Sequence, residues 1–167
     1  MQSQTANAAS GLPQPPRKPK NPMSREDCME VLLESRECAF ATVGEDGAPY
    51  VTTLNFAVAG TVIYVHGARE GTRNRNIMRD PRVSLCAFTG GEIGRGEGPC
   101  NTGTRFSSVV VSGKARIVED DAERSLALDA LVAKYAPEHA GKPMPVKAAA
   151  ATGVVAVEPA AMTGRRR

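Results

Sequence analysis

Apolar residues in this chain fall in short runs that are separated by turn residues, and the runs are rich in Val, Thr, Ile and Tyr. Such residues are typical of β-strands, because branched and aromatic side chains pack well on a pleated surface. Ala59-Gly60 lies between the second and third runs, and a connection of two residues is typical of a hairpin. Gly113 interrupts the fifth run and predicts a bulge or bend of the kind that closes a barrel. The predicted strands are residues 38–43, 50–58, 61–66, 82–88, 105–118 and 154–157.

Three other segments have the pattern of helices. Ser24 followed by Asp27 resembles a capping box at the start of the first helix. Thr72 is a candidate N-cap for a basic helix over residues 72–79, because its hydroxyl could accept a backbone N–H. Residues 120–135 begin with acidic side chains, as helices often do. We expect the inward face of this third helix to comprise Leu126, Leu128, Leu131 and Val132.

The number and order of these segments predict one domain that is mostly β with flanking helices and whose sheet closes into a small barrel. Residues 1–22 are polar and contain five prolines, so we expect a disordered Pro-rich tail. The domain should span residues 23–164. Residues 165–167 should form a basic C-terminal end outside it.

The formal net charge of +3 raises the question of a nucleic-acid partner, but the ends of the chain account for the charge. The six basic residues at the two ends are Arg17, Lys18, Lys20, Arg165, Arg166 and Arg167. Removing these six from the 21 basic residues leaves 15 against 18 acidic residues, a net charge of −3. We therefore expect no nucleic-acid partner for the domain.

Two features bear on the cellular location. The sequence has no apolar run long enough to span a membrane, and its N-terminus lacks the apolar segment of a secretory signal. We therefore expect a cytoplasmic protein with no membrane partner.

The four cysteines show neither the paired spacing of a zinc site nor the density of a disulfide scaffold, so no metal site is expected. Cys38 and Cys86 lie in apolar runs and should be buried. Cys100 lies in a Gly-rich segment, where it could be an exposed reactive thiol or could have a plain structural role.

The Gly-rich residues 89–104 are predicted to form a long loop between strands. Their glycine spacing differs from the dinucleotide-binding fingerprint, and a strand rather than a helix follows, so a Rossmann site is not expected. Loops of this length in a compact domain are usually functional or mobile.

The segment after the third predicted strand has the features of a phosphate site. If Thr72 caps the basic helix, free backbone N–H groups and Arg73 meet beside the strand end that holds His66. A cation in the first turn opposes the helix dipole unless an anion binds there. The alternatives are that His66 is only a hydrogen-bond partner at a strand end and that Arg75 and Arg79 form a solvated helix face.

An ordered set of short motifs resembles a known family. The chain resembles the FMN-binding split β-barrels related to pyridoxamine 5'-phosphate oxidase, and within them the nitroimidazole-reductase-like branch. The resemblance covers about residues 23–164. The motifs are Gly47-x-Pro49-Tyr50, Asn55-Phe56, Tyr64-x-His66-x-Ala68, Gly71-x-Arg73, Asp80-Pro81-Arg82-Val83, Ser107-Ser108-Val109 and Gly113-Lys114-Ala115.

This resemblance implies an FMN site between the subunits of a homodimer. The ring and ribityl chain would contact Thr52, Thr53, Leu54 and Asn55, and the phosphate would contact Thr72 and Arg73. His66, Gly67 and Ala68 would lie at the strand end beside the cofactor. Ser108 would approach from the neighbouring subunit or a neighbouring strand. The 89–104 loop would lie near the flavin as a substrate-side lid.

The resemblance also implies an activity. The true pyridoxamine oxidases carry an Arg near the position of Thr52 and a Lys near Phe56 or Ala57, which this chain lacks, so pyridoxamine phosphate oxidation is not expected. The expected reaction is reduction of a small electron-poor organic substrate, such as a nitroaromatic. His66 is the candidate catalytic acid, because its imidazole titrates near neutral pH.

Two alternatives remain open. The barrel could be a non-catalytic module that binds flavin, or that binds haem through His66. It could also be a deazaflavin-dependent reductase of the same fold.

Overall fold

The computed structural model describes residues 22–167. The predicted tail at residues 1–22 therefore lies, except for Pro22, outside the described residues. Six strands and four helices make up the described part: β1 Glu37–Val43, β2 Pro49–Ala59, β3 Val62–Ala68, β4 Arg82–Gly94, β5 Gly103–Ile117, β6 Thr152–Arg166, α1 Arg25–Glu34, α2 Thr72–Arg79, α3 Asp121–Tyr135 and α4 Val146–Ala151. Single 3-10 turns lie at Pro99–Asn101 and Pro137–His139.

The six strands form a closed antiparallel barrel in the order β1-β2-β3-β6-β5-β4. This confirms the predicted class, mostly β with flanking helices. The predicted irregularity at Gly113 is present, because the β5–β6 register shifts between Ser112 and Gly113. A Cβ at Gly113 would lie only 2.2 Å from the carbonyl oxygen of Glu158, so the close approach of the two strands requires glycine.

Two apolar clusters hold the fold together. The barrel interior is filled by side chains such as Phe40, Phe56 and Leu85, and α1 and α2 add residues such as Leu32 and Ile77 to the same cluster. The second cluster lies between α3 and the outer surface of β2, β3 and β6. It comprises Ala57, Tyr64, Val118, Ala127, Leu128, Leu131, Val154 and Ala156. Each large buried side chain contributes about 1.5–3 kcal/mol of transfer free energy.

The start of α1 follows the predicted pattern. The Asp27 amide donates to the Ser24 hydroxyl oxygen over 3.0 Å, and the Ser24 amide donates to the Asp27 carboxylate over 3.2 Å. This is a reciprocal capping box, which satisfies amides that the first turn leaves unpaired.

Several boundaries and one helix face differ from the prediction. Ala59 pairs with Val62, so the hairpin turn is Gly60-Thr61, and Gly60 has the left-handed φ of +61° that such a turn requires. On α3, Leu128 and Leu131 are buried as expected, whereas Leu126 is 51% exposed and the prediction for it was wrong.

The predicted 89–104 loop is largely a strand hairpin. Strand β4 continues to Gly94 and β5 begins at Gly103, which leaves only residues 95–102 as the connection. The prediction of a long loop was wrong because glycine and charged residues carry no strand signal. The backbone hydrogen bonds between two long neighbouring strands do not depend on that signal.

The last strand is much longer than the predicted 154–157. Arg165 and Arg166 pair with Ser108 and Ser107 of β5, so these two arginines belong to the barrel and do not form a separate basic end. Most residues of β6 after Val157 are small or polar, with Met162 the exception, and this extension of the strand is only partly buried. No helix among the described residues is long and apolar enough to cross a membrane.

Candidate functional site

The barrel opens between β2 and β3. These strands pair only from Ala59 and Val62 at the turn to Phe56 and Val65. Beyond that point, residues 49–55 of β2 pair with β1, and residues 66–68 of β3 pair with β6. The split places the predicted residues 52–55 on one edge and the predicted residues 66–68 on the other.

The residues on the β2 edge alternate between the two faces of the sheet. Thr52 and Leu54 share the inward side with Phe56, while Thr53 and Asn55 point outward. The hydroxyl oxygen of Thr52 is buried and has no hydrogen-bond partner among the described residues. Such an atom is costly to leave unpaired, and it is therefore a candidate contact for a polar ligand.

His66 lies on the β3 edge and is half-buried. Its Nδ1 atom is buried and has no partner in the described part of the chain. Burial lowers the pKa of His66 below its ordinary value, and the nearby charge of Arg73 lowers it further. The imidazole is therefore neutral at pH 7 in the free protein.

The start of α2 differs from the prediction in one respect. Gly71, with φ of +148°, is the N-cap, and Thr72 is the first helical residue, so the prediction that Thr72 caps the helix was wrong. The Thr72 hydroxyl instead accepts a hydrogen bond from Nη2 of Arg75 over 3.2 Å. Because glycine offers no capping side chain, the first-turn amides of α2 have no side-chain cap.

Arg73 lies beside these amides and is half-buried. Its Nε donates to Oδ1 of Asn74 over 3.1 Å. Burial lowers the pKa of Arg73, and no carboxylate forms an ion pair with it among the described residues. A half-buried cation without a counter-ion is electrostatically unfavourable, so the site favours an anion.

Gly67 provides the space that Arg73 occupies. A Cβ on Gly67 would lie 3.1 Å from Nη2 of Arg73. Asn74 fixes the loop from the other side, because its Nδ2 donates to the carbonyls of Ala68 over 3.1 Å and Arg69 over 2.7 Å. The structure therefore brings His66, Gly67 and Arg73 together, as the sequence predicted. The role of Asn74 had not been predicted.

Ser108 lies far from this group within one chain. It pairs with Phe88 on β4, and β4 and β1 both separate it from β2. Three strand spacings amount to about 14 Å. The approach of Ser108 to the site, from a second copy of the chain or from a neighbouring strand, stays a prediction.

A groove runs along the outer surface of the barrel beneath α3. Its walls are residues of α3 and Met144, and its floor carries Asn55, His66 and Thr152. The groove has a volume of about 380 Å³. The α3 residues that line it are Leu128, Leu131, Val132 and Tyr135, and Ala136, which follows the helix, also lines it.

Tyr135 ties the end of α3 to β2. Its hydroxyl oxygen accepts a hydrogen bond from the amide of Phe56 over 3.0 Å. The same hydroxyl contacts the carbonyl oxygen of Phe56 at 2.9 Å and the carbonyl oxygen of Arg36. The phenol thus takes the place of a β1 partner for Phe56, just before that strand begins at Glu37. The sequence pointed to no such role, although a tyrosine in the last turn of a helix whose other apolar residues are aliphatic was a possible signal.

The cysteines carry no metal or disulfide chemistry in the described residues. All four are free, Cys28 and Cys38 are buried, Cys86 is half-buried and Cys100 is exposed. Burial raises the pKa of Cys38 to about 12. No cluster of three or more metal-ligating side chains occurs within residues 22–167.

The barrel is shared by solved structures from several bacteria. A candidate 5-nitroimidazole antibiotic resistance protein from Bacteroides thetaiotaomicron is 23% identical, with a TM-score of 0.73 over 86% of this chain and 85% of that one. An FAD and heme binding protein from Mycobacterium smegmatis is 21% identical, with a TM-score of 0.76 over 86% of this chain and 71% of the other. The flavocytochrome Anf3 from Azotobacter vinelandii is 20% identical, with a TM-score of 0.74 over 86% and 67%.

At these identities the likeness is one of fold. Among curated proteins, no sequence matches this chain. The sequence model of the family described as pyridoxamine 5'-phosphate oxidase, in contrast, matches residues 24–166. Since that match spans nearly the whole described chain, the protein belongs to the pyridoxamine 5'-phosphate oxidase family.

Proposed function

We propose that this protein is a flavin-dependent oxidoreductase that binds FMN at the gap between β2 and β3 and reduces a small electron-poor organic substrate, such as a nitroaromatic. The observation that carries the proposal is the half-buried guanidinium of Arg73, which pairs with no carboxylate of residues 22–167, at a helix start without a side-chain cap. Backbone amides and an arginine that converge in this way suit a phosphate group.

The residues around the gap fit the remainder of FMN. Thr52 offers a buried hydroxyl that has no hydrogen-bond partner in the described part of the chain, and Thr53, Leu54 and Asn55 continue along the same strand edge. On the opposite edge, Gly67 leaves room for the Arg73 guanidinium, and Ala68 adds no bulk. Thr72, at the first position of α2, presents its backbone amide. These residues would hold the phosphate and ribityl chain and leave the ring beside His66.

A bound flavin would supply the hydride and electron chemistry that no side chain of this protein provides. The chain itself contributes position and charge. His66 is neutral at pH 7 in the free protein, so it acts first as a hydrogen-bond partner. An anion at Arg73 would offset one of the two causes that lower the His66 pKa, so a larger fraction of the imidazole would carry the proton that it could donate near neutral pH.

We also propose a homodimer whose interface lies on the outward face of β1, β4 and β5. Because α1 and α2 pack toward the interior and α3 covers β2, β3 and β6, no described helix covers this face. One row across it is Thr53, Ala39, Cys86 and Val110. Small side chains allow two sheets to pack closely, and a second copy would bring its Ser108 toward the gap.

Haem binding through His66 is the second candidate. A neutral imidazole beside an apolar groove, with a ring nitrogen that no described residue hydrogen-bonds, is compatible with an axial ligand. The FMN-binding and haem-binding candidates differ in the cofactor that the protein should release on denaturation. We expect mass spectrometry of the released molecule to give the mass of FMN. Release of haem or of a deazaflavin would favour the corresponding alternative, and a purified protein that neither releases nor binds FMN would contradict the proposal.

A further inference from the structure

The groove beneath α3 is chemically different from the gap that holds Arg73. None of its nine lining residues carries a formal charge at pH 7. The titratable residues among the nine are His66 and Tyr135, and both are neutral at this pH. The two sites meet at His66 and Asn55, which border both.

The polar and apolar groups of the groove lie on opposite sides. Asn55, His66 and Thr152 come from β2, β3 and β6, which are neighbours in the barrel. His66 pairs with Val154 and Ala68 pairs with Thr152, so His66 and Thr152 are diagonal neighbours on the same outward face. The apolar wall is supplied by α3 and Met144. A ligand in the groove would therefore have an apolar surface on one side and neutral hydrogen-bonding groups on the other.

Tyr135 sets the position of the apolar wall. Its hydroxyl is already engaged by the backbone of Phe56 and Arg36, so it is not a free donor for a ligand. It is a positioning residue that holds the end of α3 at a fixed place on β2.

We infer that the groove is the substrate site of the proposed reductase and that it selects uncharged, compact aromatic molecules over anionic ones. The inference rests on the proposed function, because it assumes that the molecule reduced at His66 lies in this groove. None of the lining residues is a lysine or arginine, so a carboxylate or phosphate placed among them would lose hydration without forming a direct ion pair with the lining, which is costly. A volume of about 380 Å³ suits a molecule of one or two rings.

The test compares a neutral and an anionic probe of the same shape. Full-length protein, as purified, is titrated with 4-nitrobenzyl alcohol and with 4-nitrobenzoate, and binding is measured by NMR. We expect the alcohol to bind at least about ten-fold more tightly. Equal binding of the two probes, or tighter binding of the benzoate, would overturn the inference.

A variant with a new charge in the groove makes the test specific. Met144→Lys should lower the preference for the alcohol by about ten-fold or more, because the ammonium group would compensate the carboxylate. Val146→Lys is the matched control, since Val146 is 83% exposed and does not line the groove. An unchanged preference in Met144→Lys would also overturn the inference.

Flavin binding is measured on the same samples to separate the two proposals. We expect Met144→Lys to bind FMN as the wild type does. A protein that binds the neutral probe selectively but binds no flavin would contradict the proposed reductase, while the probe comparison would still support the selectivity of the groove. A selective groove combined with flavin binding supports both.

Discussion

The guanidinium of Arg73 lies against the backbone of Gly67. A Cβ built on Gly67 would be 3.1 Å from Nη2 and 3.4 Å from Nη1 of Arg73, so a side chain at position 67 would require the guanidinium to shift. The end of β3 and the start of α2 are thereby coupled, and the position of the proposed phosphate ligand depends on a glycine in the neighbouring strand.

Gly67→Val tests this coupling. The added side chain should displace the Arg73 guanidinium and weaken FMN binding by about ten-fold, because the charge-assisted contact to phosphate would be lost. Fluorescence titration measures the affinity, and thermal unfolding checks that the barrel is intact. A folded variant with wild-type affinity for FMN would show that the absence of a side chain at position 67 is not required for FMN binding.

The titration of His66 should report the charge of Arg73. Burial and Arg73 both lower the His66 pKa, so Arg73→Met should raise it toward the ordinary value of 6.5. NMR of the imidazole protons measures this directly. The chain has only two histidines, and the exposed His139 serves as the internal control. A His66 pKa at or above 6.5 in the wild-type protein would contradict the expectation.

The lowered pKa of His66 also predicts how the stability of the fold changes with pH. Because the folded-state pKa is lower than the unfolded-state pKa, the unfolded chain binds more protons between the two values. The contribution of His66 to the free energy of unfolding should therefore be fully present above pH 6.5 and should decrease as the pH falls from 6.5 to the folded-state pKa. His66→Gln, compared with the wild type by urea denaturation, should abolish this contribution.

Tyr135→Phe should destabilise the fold. The variant leaves the Phe56 amide without the partner that it has at 3.0 Å, and an unpaired amide of this kind costs about 1–3 kcal/mol. Urea denaturation measures the change. Tyr50→Phe is the control, because Tyr50 is 38% exposed and its loss of a hydroxyl should change stability by less than about 0.5 kcal/mol. Equal losses of stability in the two variants would contradict the role assigned to Tyr135.

Ala39→Glu should convert the proposed dimer to a monomer. Ala39 lies between Thr53 and Cys86 on the outward face, where a carboxylate would be buried without a partner in the dimer. Ala133→Glu places the same charge on an exposed position of α3 and should leave the dimer intact. Light scattering at micromolar concentration distinguishes the two states. A monomeric wild-type protein would contradict the proposed interface.

The fold followed from the sequence wherever apolar periodicity was strong. The first five strands were placed to within a few residues at their starts, and α2 was placed at the observed bounds, because buried strands and helix starts have local signals. The ends of β4 and β6 were missed because glycine, arginine and small residues pair through their backbone there. Pairing with a strand distant in sequence has no local signal.

The residues of the candidate site were likewise predictable only in part. Arg73, Gly67 and His66 could be predicted to converge because they lie within eight residues of one another across one loop. The groove could not be predicted, since it joins Asn55 and His66 to residues of α3 that lie about 70 positions later in the chain. The cap at Gly71 was misassigned to Thr72 because threonine is the commoner cap, and only the backbone shows that glycine occupies that position.

The most direct test of the account is FMN affinity in Arg73→Met. Loss of a charge-assisted contact to phosphate should raise the dissociation constant by roughly ten- to a hundred-fold, or about 1.5–3 kcal/mol, in fluorescence titrations at fixed salt. Arg69→Met removes the same charge from an exposed position in the same loop and should change the affinity by less than about three-fold. Wild-type affinity in Arg73→Met, or equal losses in the two variants, would contradict the assignment of this site to a flavin phosphate.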